Sequence, residues 1–230
     1  MKSAAEFAHL ELDGYRNINS IAKVTGRLHS SETLFGDLNA KVMVLGQDGA
    51  PFEKLRVLVE DKGEGADGYR HGPKVRTNIN LIACLSEYIA QQSGIRGPIN
   101  SKSCGVYYAN AVWLLKETTG MAGALPQIKK ALKISEEVFQ ATIEGLPKLE
   151  LIIALGKPAY QSLRLQSPSL SKNWRHIVDS RTVSEAELFG RRVKVATVLH
   201  PSPLSGGKDV PKLKADFEVI LREVNLVAGS

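Results

Sequence analysis

Cysteine is scarce in this chain, with two in 230 residues, which excludes a disulfide-stapled scaffold and any four-cysteine metal or iron–sulfur centre. Both, Cys84 and Cys104, stand among apolar neighbours and read as core. No run approaches the roughly 20 apolar residues that a membrane-spanning helix needs. No apolar stretch follows Lys2 to make a secretory leader, so a cytoplasmic protein is expected. Charge of one sign is not gathered into a tail: 30 basic residues against 24 acidic give +6, spread along the chain. That balance leans towards a polyanionic partner without requiring one.

What is present suffices for one core. With 43% apolar content, residues 1–230 read as a single domain in which 1–37, weakly periodic, form an N-terminal extension packed on the rest. Apolar runs predict strands at 41–45, 104–109, 150–155 and 191–199. Helical spacing predicts helices at 77–91, with Thr77 as cap, at 127–144, at 158–165 and at the C-terminus, where Leu213, Phe217, Ile220, Leu221 and Val224 share a face. Residues 60–76, rich in glycine, and 166–182, with Trp174, Arg175 and His176 as possible binding residues, read as loops. Nearly all-apolar strands alternating with helices imply an α/β fold of three α/β/α layers around a mainly parallel four-stranded sheet.

Polar residues cluster where those strands stop. Residues 195–205, Val-Ala-Thr-Val-Leu-His-Pro-Ser-Pro-Leu-Ser, read as a buried strand that ends at His200. Pro201 and Pro203 can neither continue a ladder nor start a helix. The loop offers the hydroxyls of Ser202 and Ser205 and pushes out Leu204, an apolar tip that needs a partner. The first strand empties into Gly46-Gln47-Asp48, and the second ends at Asn110. An acid, an amide and an imidazole are thus expected at one sheet edge, the edge where open α/β sheets bind ligands.

Gly46-Gln47-Asp48 together with His200-Pro201-Ser202-Pro203-Leu204-Ser205 resembles the paired signature of the uracil-DNA glycosylase superfamily. Tyr107-Tyr108-Ala109-Asn110 is similar to its strand ending in a base-reading asparagine, and Leu155-Gly156-Lys157-Pro158-Ala159 to its glycine turn. The likeness runs in order over roughly 40–224. It implies a monomeric enzyme that needs no metal or cofactor and starts base-excision repair on uracil in double- or single-stranded DNA. The chain departs from the best-known branch in having Gly49 and Ala50 where that branch has proline and tyrosine. Either the pocket is roomier at C5 of the base, or another side chain such as Phe52 closes it.

The chemistry can be argued from the residues too. Breaking a base–sugar bond leaves positive charge on the sugar and negative charge on the departing base. Asp48 suits the first, stabilising an oxocarbenium-like sugar and orienting water; His200 suits the second, donating to a base carbonyl. The resemblance implies that His200 acts as a neutral imidazole. The Asn110 amide complements O4 and N3–H of uracil and mismatches cytosine. A base inside a duplex must be flipped out, so Leu204 reads as the wedge that fills the gap, with Ser202 and Ser205 on adjacent phosphates. Gln47 stands beside the acid as a further substrate contact. By analogy an aromatic side chain stacks on the flipped base, with Tyr69 preferred slightly over Phe52. The alternative is a catalytically silent damaged-DNA-binding protein of the same fold, against which the presence of both Asp48 and His200 speaks.

Overall fold

A computed structural model of the chain describes residues 1–21, 28–29, 32, 34–49, 51–57, 76–93, 100–117, 125–202 and 209–227. In chain order the elements are β1 (Tyr15–Arg16), β2 (Val42–Asp48), α1 (Phe52–Arg56), α2 (Arg76–Ser93), β3 (Val106–Val112), β4 (Leu115–Lys116), α3 (Leu125–Ile134), α4 (Glu136–Glu144), β5 (Leu151–Leu155), α5 (Lys157–Gln166), α6 (Trp174–Ser180), β6 (Ser184–Leu188), β7 (Arg191–Val198) and α7 (Val210–Glu223). The main sheet runs β3-β2-β5-β7-β6. The expected parallel strands are there: β2 pairs in parallel with β3 and β5, and β5 with β7. The fifth strand, β6, pairs antiparallel with β7. It joins β7 through Phe189 and Gly190, at φ 51° and 75°, the left-handed pair that a tight hairpin turn demands.

Two cores follow from strand alternation. Met43, Leu45, Tyr107, Ala109, Ile152 and Ala154 face a layer built from α3, α4 and α5. Val42, Val44, Val106, Tyr108, Ile153 and Val198 face α2 and α7. Burial on both faces is why these strands are apolar without alternation. A third cluster packs Phe7, Ile18 and Ile21 of the N-terminal segment against Trp113 and Leu114, while β1 and β4 form their own antiparallel pair.

Three local readings are corrected. The helix expected over 127–144 is broken at Ser135, whose buried hydroxyl accepts the Trp113 N–H at 2.9 Å. A bond to a neighbouring segment outweighs continuity of periodicity there. The helix expected from Thr77 already includes Arg76, so Thr77 lies inside it. The weakly periodic N-terminal extension begins with a short 3-10 helix, Ala4–Phe7. The loop at 166–182 contains α6, capped by Asn173, whose side chain accepts from the His176 N–H. Cys84 and Cys104 are buried and unpaired, and burial pushes their thiols up to about 12 and about 11.

Candidate active site

The acid arrives on β2 itself. The first strand does not stop at Leu45 but runs through Asp48, opposite Val112 of β3, so the motif is the strand's last turn of pleat and not a loop. Asn110 likewise lies within β3 and not at its exit, because Ala111 and Val112 remain in the core. It pairs in register with Gly46. A Cβ on Gly46 would lie 2.5 Å from the Tyr108 hydroxyl and 2.8 Å from Asn110 Oδ1. Glycine is needed there so that the phenol and the amide can lie over the strand. Burial, helped by the charge of Asp48, holds the Tyr108 hydroxyl well above its ordinary pKa.

His200 follows β7 on a segment that two bonds shape. The buried Asn80 of α2 donates from Nδ2 to the Pro201 carbonyl at 2.8 Å. The Ser202 N–H donates to His200 Nδ1 at 3.2 Å. A backbone N–H can only donate, so Nδ1 holds a lone pair and the proton of the neutral ring sits on Nε2. Burial lowers the pKa of His200 and the charge of Asp48 partly offsets it, which keeps the ring neutral near pH 7.

A cavity of about 320 Å³ joins these parts, with Gln47, Asp48, Lys116, Trp174, His200 and Ser202 among its walls. That is the size of a small-ligand site. Five of the residues singled out in the sequence, Gln47, Asp48, Trp174, His200 and Ser202, therefore meet, beside the glycine turn at 155–158. Asn110 lies over Gly46, its register partner on the next strand, and does not line this cavity. Phe52 opens α1 and packs, partly buried, on the N-terminal cluster, away from the cavity walls. Tyr69, Leu204 and Ser205 lie outside the described residues.

Three contributors escaped the sequence reading or were only half seen. Lys116 places Nζ 2.5 Å from Asp48 Oδ2; it is held by the β1–β4 ladder, opposite Tyr15. Its signal was a lone cation ending the apolar run that begins at Val106. Trp174 begins α6 and donates from Nε1 to Thr197 Oγ1 at 3.0 Å, and that hydroxyl donates to the Ala154 carbonyl at 3.1 Å. The indole is thereby fixed against the sheet. His29 lies beside β3, the edge strand of the main sheet, where its Nδ1 accepts the Asn110 N–H at 3.4 Å. Beside them, α5 starts at the cavity with Gly156 at φ 84° and no side-chain cap, followed by Lys157, an arrangement that suits an anion.

Against the known protein families, residues 34–225 match the uracil DNA glycosylase superfamily. The chain belongs to the uracil-DNA glycosylase superfamily. A search among curated protein sequences finds no match. The superfamily span takes in every strand of the main sheet and both carriers of the acid and the imidazole. Membership assigns the general class of activity: a DNA glycosylase, a hydrolase of base-excision repair whose partner is DNA. Among the described residues no helix is long and apolar enough to cross a membrane.

Proposed function

We propose that this superfamily member is a monofunctional glycosylase that flips uracil out of DNA and hydrolyses its N-glycosidic bond, leaving an abasic site. The observation that carries the reading is the meeting of the Asp48 carboxylate and a donor-form His200 on one small cavity. In this reading Asp48 stabilises the sugar as positive charge grows and orients the attacking water. At about 4 Å and an effective dielectric near 20, such a charge is worth about 4 kcal/mol, roughly a thousandfold in rate. The Nε2–H of His200 donates to the base oxygen on which negative charge collects, with no reorganisation at the moment of bond breaking.

Asn110 reads the base edge from over Gly46, and Tyr69 stacks on its face, since Phe52 packs on the N-terminal cluster. Leu204 wedges the duplex, while Ser202, Ser205 and the α5 N-terminus with Lys157 hold phosphates. With Gly49 and Ala50 beside the acid and Phe52 outside the cavity walls, bases enlarged at C5 enter as well. The protein acts as a monomer and a single domain, in the cytoplasm.

The test is incubation with a uracil-containing duplex followed by alkali, where strand scission marks excision. A gel shift without scission would instead mark the silent binding protein. Parallel duplexes carrying 5-hydroxymethyluracil and thymine measure the room at C5, and rejection of both would mean that the space is closed.

A further inference from the structure

The ion pair between Lys116 and Asp48 is at odds with the work assigned to the acid. A lone carboxylate offers the sugar a negative charge; a carboxylate with an ammonium 2.5 Å away offers a short dipole, whose field at the sugar is much weaker. The pairing is nevertheless well suited to the protein without DNA. Side-chain exposure is 14% for Lys116 and 19% for Asp48, and a carboxylate so covered needs a partner. Of the two titratable groups on β1, Arg16 is paired with Glu117 at 2.6 Å, and Tyr15, whose pKa burial and the charge of Asp48 raise, cannot serve as a cation.

Lys116 has the means to leave. Its backbone is pinned by β4 pairing with β1, but its ammonium sits on a flexible four-carbon stem at the wall of the cavity that also holds His200 and Lys157. Any DNA strand entering that cavity brings phosphodiesters on both sides of the flipped nucleotide. A phosphate within the reach of the stem offers the ammonium a full negative charge in place of Asp48.

We propose that Lys116 is a DNA-phosphate ligand that caps Asp48 in the free protein, so that phosphate binding uncovers the carboxylate. The capping rests on the glycosylase reading; the phosphate contact can be measured without it. The site is then fully charged only on a strand with flanking phosphates, and a free nucleoside entering the same cavity meets a neutralised acid.

The experiment uses the full chain as wild type, Lys116→Met, Lys116→Gln and Lys116→Arg. Fluorescence anisotropy on a duplex carrying a tetrahydrofuran abasic-site analogue, at salt from about 50 to 300 mM, reads binding without turnover. Single-turnover excision from a uracil duplex at saturating protein reads the chemistry. Both uncharged variants should lower the slope of log affinity against log salt by about 0.9, weaken binding roughly tenfold at about 0.1 M salt, and keep or raise the saturated excision rate. Lys116→Arg should keep the wild-type slope. An unchanged slope in Lys116→Met and Lys116→Gln would overturn the phosphate contact. A saturated rate lowered about tenfold or more with affinity retained would overturn the cap, because Lys116 would then be holding Asp48 in its working position. If the wild type leaves uracil in place, the glycosylase reading fails by itself, and the salt slopes still decide the phosphate contact.

Discussion

Two histidines in this protein are wired alike and spent differently. His29, 2% exposed, accepts the Asn110 N–H on Nδ1 and donates from Nε2 to Thr142 Oγ1 at 2.9 Å; that hydroxyl in turn donates to the Val138 carbonyl at 2.7 Å. His200 takes the Ser202 N–H on Nδ1, and among the described residues no protein group accepts from its Nε2. Both rings are neutral through burial, which pushes His29 down to about 3. Where the chain closes at both ends, as at His29, the imidazole is a strut between β3 and α4. Where one end is left open on a cavity that also holds an acid, the same group is a reagent.

The comparison breaks most visibly on the reagent side. Asp48→Asn should lower single-turnover excision by about 10³-fold while DNA affinity holds or rises a few fold, since the acid acts on the transition state and its only tie to binding is its hold on Lys116. His200→Gln should lower the same rate by about 10²- to 10³-fold with little change in melting temperature. If it melted far lower and cut normally, His200 would belong with the struts.

On the strut side the order reverses. His29→Leu leaves the Asn110 N–H without its acceptor and removes the donor to Thr142, which should reduce stability by about 2–3 kcal/mol and the melting temperature by about 5–10 °C. Excision at 25 °C should change only a few fold. His29 also sets a pH dependence. Its unfolded-state pKa is 6.5 and its folded value about 3, so between these the unfolded chain binds a proton that the folded chain refuses. The stability it confers is fully present above about pH 6.5 and is lost as pH falls towards 3, by at most about 1.4 kcal/mol per pH unit. Urea titrations from about pH 7 to 5 should show this slope in the wild type and a shallower one in His29→Gln. Thr142→Val should give the smallest effect, about 1–2 kcal/mol for an orphaned Nε2–H, with excision unaltered.

Much of this arrangement was legible before any coordinates. All four apolar runs became the parallel strands, because burial on both faces leaves an unambiguous signal. Asp48 and His200 met because the carboxyl ends of parallel strands share one edge. The misplacements have a common cause, which is that ladder pairing overrides local pattern. Asp48 looked like a loop residue and Asn110 like a strand's last residue, yet both sit within strands because Asp48 pairs with Val112 and Asn110 with Gly46 across the sheet. Lys116 was passed over because β4 is two residues long and owes its place to Tyr15, about a hundred positions earlier in the chain. Trp174 fell in a stretch without periodicity, and only the hydroxyl of Thr197 explains where its indole points.

The amino-acid sequence alone determined the layered α/β architecture, the sheet edge at which chemistry is possible, and the acid and imidazole delivered to it. Periodicity and strand-end motifs are written locally, within a few residues of one another. Tertiary structure alone decided which ring nitrogen of His200 carries the proton, which cation answers Asp48, and which histidine is consumed as a strut. Those outcomes depend on partners far apart in the chain, Asn80 with Pro201 across 121 positions and His29 with Asn110 across 81, and such through-space pairing leaves no mark in the local pattern of residues.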